Sequence, residues 1–443
     1  NLKLTKIQKL LDSSVAADFD LTQFELDTGK RVVELDTGVL RYIPLTSFIG
    51  PSVTKINQHL AYENNIITNI EFSADFSEMT GQTNFRFCKK LKRFFPMTIK
   101  GLRVLPKETF LNCESLEGEF SFPDVTNVVE KALQGCSKIT KLSLPKVRRI
   151  DNCSGMTSLT TLEINPDIEE FASQAFRGAT NLKDMNTTCF PQLTNIAYYA
   201  FFEAKKNCGD WECPNLTNVG DMAFRQNNIS SFKAPKLVNV GKDSFSNCTN
   251  LNDVEISEDA RIINDNAFSG CSALTSFTPY FPKNLEILGT GAFRDVKIST
   301  PPQIISPYLE TLSANCLRGP DSRFTGPLDI YSPITVYGSC ALFTAINGQV
   351  INIYSREVPQ TIASGAFGTK RCRINIKKSA ALAGWAKLCE GNESKLESYK
   401  NNSDYPGEKT IGLLYTPSSA GCSETWHYVV DDTPPSGTSL VIM

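Results

Sequence analysis

Histidine and cysteine are the residues of this chain best suited to nucleophilic or metal chemistry. The chain has only two histidines, His59 and His427, which stand near its opposite ends and outside the repeated part of the sequence. A Ser-His-Asp arrangement would need one of them in a pocket shared with the other two groups. No other spacing in the sequence indicates a catalytic constellation, and we predict that the protein is not an enzyme.

The fourteen cysteines follow a spacing of their own. Five of them come three residues after a phenylalanine or leucine that recurs along the chain: Cys88, Cys113, Cys136, Cys248 and Cys271. Metal sites built from cysteine need C-x-x-C pairs or nearby histidines, which this sequence lacks. Free cysteine is among the most buried residue types, so we predict a stacked row of buried thiols and expect no metal or other cofactor.

Two further cysteine pairs could form disulfides. Cys208 and Cys213 are close together in a segment that interrupts the repeat, and Cys389 and Cys422 lie near the C-terminus. The sequence leaves the state of both pairs open.

Charge and motifs argue against nucleotide or nucleic-acid binding. Lysine and arginine number 45 against 47 aspartates and glutamates, a formal net charge of −2 without a basic block. The glycine motifs that hold phosphates are also absent from the sequence. We therefore expect no nucleic-acid partner.

Two columns of residues repeat with one period. The aromatic column follows an alanine in most repeats and comprises Phe110, Leu133, Phe176, Phe201, Phe224, Phe245, Phe268, Phe293, Leu317 and Phe367. From Phe201 to Phe293 its neighbours are 23, 21, 23 and 25 residues apart. A proline followed by spaced apolar residues recurs at Pro123, Pro145, Pro166, Pro191, Pro214, Pro235 and Pro307. A period of 20 to 29 residues rich in leucine is typical of leucine-rich repeats.

Each repeat contains one short strand pattern. Apolar and polar residues alternate after the cysteine position, as in Leu251 to Ile256, and the following proline ends the strand because it lacks an amide hydrogen. We expect Gly220, Gly241 and Gly289 to give the next segment freedom in φ, and that segment to be helical or irregular. The predicted fold is an α/β-type repeat solenoid with a curved parallel β-sheet, about 23 residues per turn and about a dozen turns.

The columns predict three regions. Residues 1–62 are expected to form an N-terminal cap of β-hairpins, because two Asp-Thr-Gly turn signals separate alternating segments. Residues 63–376 are predicted to be the repeat array. Residues 377–443 are predicted to be a C-terminal cap and tail, or alternatively a small β-unit, since "TIGLLYT" and "TWHYVV" alternate.

The repeat consensus Pro-x-Leu-x-x-Ile-x-x-x-Ala-Phe-x-x-Cys-x-x-Leu-x-x-Leu-x-Leu resembles the BspA-like class of leucine-rich repeats. Members of that class are abundant on surface proteins of anaerobic bacteria and of some mucosal protozoa. The resemblance implies a bacterial surface protein with a role in adhesion and aggregation. It also implies a location at the cell surface or outside the cell.

A long parallel sheet exposes one side chain after another on a continuous face, which suits a large partner better than a small substrate. We therefore predict a non-enzymatic binding protein that engages extracellular proteins or glycans through the concave face of its sheet. The residues predicted to carry binding are Lys141, Glu163, Asp184, Lys233, Asp253 and Glu255. The alternatives are a structural scaffold with no dedicated ligand and a glycan-acting enzyme.

The sequence contains no apolar stretch long enough to span a membrane. It begins at Asn1 with a segment that lacks the features of a signal peptide, so an export signal is expected to have been removed from a precursor. A lipid anchor in that precursor would provide surface attachment.

Overall fold

The computed structural model describes most of the chain as far as residue 367. The described residues are 1–5, 18–205, 209–275, 277, 281–298, 301–319, 326–342, 349–355, 357, 359–363 and 366–367, with the backbone alone of 17, 372–376, 412–417 and 424–429. The chain forms two compact units, residues 1–232 and 233–443. No helix within the described part is long and apolar enough to cross a membrane.

The first unit consists of short strands and one helix, α1 (Thr22–Thr28). Its strands are β1 (Leu2–Leu4), β2 (Ala17–Asp20), β3 (Val32–Leu35), β4 (Leu45–Gly50), β5 (Lys55–Ile56), β6 (Asn69–Phe72), β7 (Glu78–Met79), β8 (Arg93–Phe95), β9 (Val104–Leu105), β10 (Glu117–Ser121), β11 (Asn127–Val128), β12 (Lys138–Leu144), β13 (Arg149–Ile150), β14 (Thr161–Ile164), β15 (Glu170–Phe171), β16 (Asp184–Met185), β17 (Asn195–Ile196), β18 (Trp211–Glu212) and β19 (Asn218–Val219).

Strand β20 (Ser231–Ala234) falls at the boundary between the units. The strands described after it are β21 (Asn239–Val240), β22 (Asp253–Ile256), β23 (Ile262–Ile263), β24 (Ile287–Leu288), β25 (Thr311–Leu312), β26 (Leu328–Ile330), β27 (Val336–Tyr337), β28 (Gln349–Ile353), β29 (Thr361–Ile362), β30 (Cys372–Ile376), β31 (Gly412–Pro417) and β32 (Glu424–Val429).

Two kinds of strand alternate along each turn and pair with their own kind in neighbouring turns. In the first unit, one kind of strand forms the parallel orders β2-β4-β6-β8 and β10-β12-β14-β16. We call these the long strands, since all but β16 have three to seven residues. The other kind, with two residues each, continues in parallel from β9 through β11, β13, β15 and β17 to β19. The register matches apolar with apolar positions, as where Leu142 lies opposite Leu162. Each turn thus presents the same buried surface to the next.

The second unit repeats this pattern. Strands β21, β23 and β24 pair in parallel, as do β25, β27 and β29, and β26, β28 and β30. Strands β31 and β32 then pair antiparallel, and β31 pairs antiparallel with β30. Strands β31 and β32 overlap the segments "TIGLLYT" and "TWHYVV", in which apolar and polar residues alternate.

These strands confirm the predicted solenoid, which has about 13 turns of about 23 residues. The helical component of the expected α/β class is minor, because helix in the described residues is confined to the seven residues of α1. The hairpins expected in residues 1–62 were wrong. There β1 pairs with β3, β2 with β4 and β3 with β5, all in parallel.

The backbone explains why a turn contains so little helix. After most of the two-residue strands from β5 to β24, two residues four positions apart take positive φ values, as at His59 and Glu63 (57° and 58°) and at Thr83 and Phe87 (58° and 60°). Residues in this left-handed region interrupt a right-handed helix. The amide of the first one instead donates to a carbonyl of the next turn, for example from His59 to Gln82 at 3.2 Å.

Glycine in this segment has a different role from the one expected. Gly220 and Gly289 have φ values outside the left-handed region, and both lie against the backbone of the preceding turn. A Cβ added to Gly289 would lie 2.3 Å from the backbone nitrogen of Asp265, which is closer than any real contact. Close approach between turns therefore requires these glycines.

The aromatic column forms the centre of the core. Phe245, Phe268 and Phe293 are at most 2% exposed, and their rings stack with centroids 5.2 Å apart in both pairs. In the first unit Phe85 and Phe110 stack at the same 5.2 Å separation. This stacking confirms the column assignment made from spacing.

Candidate binding surfaces

The cysteine column is structural. The thiols of Cys113, Cys136 and Cys271 each donate to the carbonyl of the aromatic-column residue one turn earlier, at 3.0 to 3.1 Å. The same carbonyls accept the amide of the cysteine three residues later in their own turn, as where Phe110 accepts from Cys113 at 3.1 Å. Each of these thiols therefore connects two turns through one backbone acceptor.

Burial keeps these thiols protonated. It raises the pKa of Cys88, Cys136 and Cys271 to about 12 in each case, and it raises that of Cys113 well above the usual value. A nucleophilic or metal-binding cysteine needs the opposite shift, because the reactive form is the thiolate. The row predicted from spacing is thus a packing feature of the interior.

Within the described residues, no three histidine, cysteine, aspartate or glutamate side chains are placed to hold a metal ion. Cys213 is buried. Cys208, Cys389 and Cys422 lie outside the described residues, so the question whether either pair forms a disulfide stays open. The side chain of His427, in β32, is likewise outside the described part.

In the first unit, the outward face of the long strands carries charges of both signs. Lys141 on β12 makes an ion pair of 2.6 Å with Glu163 on β14, which raises the pKa of the lysine and lowers that of the carboxyl. On the opposite side of β12 from Glu163, Glu119 of β10 lies opposite Lys141. Asp184 of β16 lies opposite Thr161 of β14. The structure thus places three of the predicted residues on neighbouring strands.

In the second unit, the other three predicted residues also lie on long strands. Lys233 on β20 is 3.8 Å from Asp253 on β22, and Glu255 is exposed two residues further along β22. Such half-exposed ion pairs contribute little to stability, typically 0 to about 1 kcal/mol. Their side chains are accessible to a partner.

Sequence reasoning missed one exposed apolar pair at the long strands of the first unit. Phe95 ends β8 and is 47% exposed, and Met97 two residues later is 43% exposed. Phe95 lies opposite Glu71 on β6. The signal was present in "RFFPM", whose second phenylalanine falls on the outward side of the strand.

Sequence reasoning also missed a cleft on another side of the first unit. It has a volume of about 390 Å³ and is lined by Arg41, His59, Tyr62, Gln82, Thr83, Arg86, Lys107 and Glu108. These residues lie in the segments with positive φ, and His59, Thr83 and Glu108 occupy the first such position of three successive turns. We call this region the turn-face cleft.

Arginine and aromatic side chains alternate beside the cleft. The Arg41 guanidinium carbon lies 4.5 Å from the ring centroid of Tyr42 and 4.6 Å from that of Tyr62. The Arg86 guanidinium carbon lies 5.5 Å from Tyr62 and 4.8 Å from Phe87. The column directly after the aromatic one therefore reads Arg, Tyr, Arg in successive turns.

This pattern could have been found in the sequence. Treating residues 1–62 as a cap placed Arg41, His59 and Tyr62 outside the array, so their alignment with Arg86 was lost. The parallel strands of the first turns show that His59 stands in the repeats, which corrects its expected position outside them. The cleft forms because four such turns stack.

A parallel solenoid with apolar residues repeating every turn of about 23 residues defines a leucine-rich repeat protein. Matches to the profile of the BspA type Leucine rich repeat region cover residues 18–140, 95–208 and 194–319, which is more than half of the chain. The chain belongs to the BspA-type leucine-rich repeat family. No functionally curated protein matches it.

Solved structures of other repeat proteins are similar at low identity. A leucine-rich repeat protein from Bacteroides ovatus is 18% identical, with 72% of this chain and 82% of that chain covered and a TM-score of 0.45. A leucine rich cell surface protein from Faecalibacterium prausnitzii is 14% identical, with 58% and 87% covered and a TM-score of 0.25. The pneumococcal vaccine antigen PcpA is 12% identical, with 80% and 84% covered and a TM-score of 0.31.

Proposed function

We propose that the protein is a non-enzymatic binding protein of the cell surface or extracellular space, which engages proteins or glycans through the outward face of its long strands. The observation that carries this proposal is the repeated exposure of charged side chains on successive strands, as where Glu119 lies opposite Lys141 and Lys141 makes a diagonal ion pair with Glu163. A repetitive surface of this kind suits a partner that makes many modest contacts.

The composition of the face supports a macromolecular partner. The long strands carry charges of both signs, and Phe95 and Met97 add exposed apolar area. Aromatic residues and methionine are enriched in protein interfaces relative to other surfaces. The surface location rests on the family resemblance.

The experiment is a binding screen of the full chain against extracellular-matrix proteins and a glycan array. Two variants probe the face, Lys141→Ala with Glu163→Ala in the first unit and Lys233→Ala, Asp253→Ala and Glu255→Ala in the second. The matched control is Arg148→Ala with Glu169→Ala, which removes an exposed ion pair of 3.0 Å beside the two-residue strands of the same turns as the first variant.

Loss of a ligand in either face variant, with binding kept in the control, is the expected result. A ligand that binds both face variants and the control equally would contradict the use of this face. Absence of any ligand would leave the scaffold alternative in place of a binding protein.

A further inference from the structure

We propose that the turn-face cleft binds an acidic sugar residue, one that carries a carboxylate beside its hydroxyl groups, such as a uronic acid within a glycan. This inference goes beyond the strand-face proposal, because the cleft lies on a different set of segments and uses none of the strand-face residues. The charge of the cleft, the fixed positions of its arginines and its mixture of hydrogen-bonding groups support this inference.

The cleft has an excess of positive charge. Arg41, Arg86 and Lys107 line it together with one carboxylate, Glu108. Arg86 donates to Glu108 at 2.8 Å, and Lys107 donates to Glu130 at 3.0 Å. Among the described residues Arg41 has no ion-pair partner, so it is the cation available to an anionic ligand.

The arginines are held in place before any ligand arrives. The Arg41 guanidinium contacts the rings of Tyr42 and Tyr62, and that of Arg86 contacts the rings of Tyr62 and Phe87. The Nε atoms of both arginines are buried without a hydrogen-bond partner in the described part of the chain, which leaves their terminal nitrogens to reach a ligand. A fixed planar guanidinium recognises a carboxylate in a defined orientation and loses little side-chain entropy on binding.

The other lining groups include acceptors as well as donors. Thr83 donates its single hydroxyl hydrogen to the carbonyl of Gln82 at 2.8 Å and therefore accepts the hydrogen bond from Nδ1 of His59. In a neutral imidazole with its hydrogen on Nδ1, Nε2 is an acceptor. Glu108 adds carboxylate oxygens, and the Gln82 amide can both donate and accept.

This mixture fits a sugar better than other anions. Sugar hydroxyls both donate and accept, so they can use His59, Gln82 and Glu108 while the sugar carboxylate meets Arg41. An inorganic phosphate or an acidic peptide side chain would need donors alone and would find Glu108 unfavourable. The volume of about 390 Å³ also lies in the range of small-ligand sites, about 300 to 1,000 Å³, and exceeds what a single carboxylate group fills.

The test measures binding of three tetrasaccharides to the full chain by isothermal titration calorimetry. Hyaluronan and oligogalacturonate probes carry carboxylates, whereas the chitin tetrasaccharide is neutral. Inorganic phosphate and a tetra-aspartate peptide serve as the other anions. We expect at least one acidic tetrasaccharide to bind about tenfold more tightly than the neutral sugar, phosphate or peptide.

Arg41→Gln should weaken that binding by about tenfold, since it removes the charge and the planar donor pair. The matched control is Arg177→Gln, because Arg177 stands in the same column and lies 4.9 Å from the ring centroid of Tyr199 and 5.7 Å from that of Phe202, outside the cleft. Should Arg41→Gln not fold, Arg41→Lys and Gln82→Ala probe the cleft with smaller changes, and each should weaken binding severalfold.

Binding that is lost equally in Arg41→Gln and Arg177→Gln would overturn the proposal, as would tighter binding of phosphate, of the peptide or of the neutral sugar. No binding of either acidic tetrasaccharide would also overturn it. The strand-face variant Lys141→Ala with Glu163→Ala should keep full affinity. Failure of the cleft and failure of the strand face are therefore measured separately.

Discussion

At the scale of single residues, the interior positions each have one task. The cysteine column supplies a small side chain and a weak donor to a carbonyl that would otherwise have a single partner. The column before the aromatic one is usually alanine, yet Asn84 occupies it with 0% exposure, and neither polar atom of its side chain has a partner among the described residues. A buried amide without a hydrogen-bond partner lowers the free energy of unfolding, so Asn84 makes this turn less stable than the consensus alanine would.

Cys136→Ala tests the protonated state of the thiol row. Burial raises the pKa of Cys136 to about 12, whereas the unfolded thiol titrates near 8.5. Above about pH 8.5 the unfolded chain therefore loses a proton that the folded chain keeps, and stability falls by about 1.4 kcal/mol per pH unit for each such thiol. The stabilising term is complete below this range and is lost as pH rises toward 12.

Cys136→Ala should be about 1 to 2 kcal/mol less stable at pH 7, because it leaves a cavity and removes a donor. Its free energy of unfolding should then fall less steeply than that of the parent between pH 9 and 11, by about 1.4 kcal/mol per pH unit. Urea denaturation across this range measures both slopes. Parallel curves would show that the thiol does not stay protonated in the folded chain.

At the scale of elements, the short distance between neighbouring turns explains why Gly220 and Gly289 are glycines better than secondary-structure propensity does. Gly220 lies with its Cα face against the backbone of Ala197 and Tyr198, and Gly289 against Asn264 and Asp265. A side chain at either glycine would separate two turns and weaken the amide ladder between them.

Gly289→Ala should lower the free energy of unfolding by about 3 kcal/mol or more, because the new Cβ meets backbone atoms that cannot move aside. The comparison is Gly29→Ala at the end of α1, where φ is 62° and no atom lies within 4 Å of an added Cβ. That change should cost about 1 to 2 kcal/mol from the left-handed backbone alone. Equal losses in the two variants would remove close approach as the reason for Gly289.

At the scale of the whole molecule, a solenoid is stabilised by contacts between successive turns. The formal net charge of −2 does not show how charge is arranged, since the strand face carries charges of both signs while the turn-face cleft is locally positive. Whole-chain totals therefore say nothing about either surface.

Phe268→Ala tests whether stability is local to neighbouring turns. Truncating a fully buried aromatic side chain costs about 3 to 5 kcal/mol. Hydrogen exchange should accelerate most in the turns of Phe245, Phe268 and Phe293, whose rings stack directly, and much less in the turns of Phe85 and Phe110. Uniform acceleration along the chain would contradict a nearest-neighbour solenoid, and unchanged exchange near Phe268 would contradict the column itself.

The sequence by itself determined the repeat, the buried aromatic and cysteine columns and the strands that follow them, because each turn must present the same interior to the next. It also placed Lys141 and Glu163 on exposed strand positions, since alternation alone assigns a strand's two faces. It misjudged residues 1–62 because the first turns have Leu40 and Ala61 where later turns have phenylalanine, and local turn signals then suggested hairpins.

Only the tertiary structure decided the rest. The left-handed residues, the close approach at Gly289 and the stack of Arg41, Tyr62 and Arg86 all depend on how one turn lies against the next. These contacts join residues 21 to 25 positions apart. A periodic sequence specifies which columns meet but not the distance or orientation at which they meet. The turn-face cleft arises from that packing, which is why it became visible only in three dimensions.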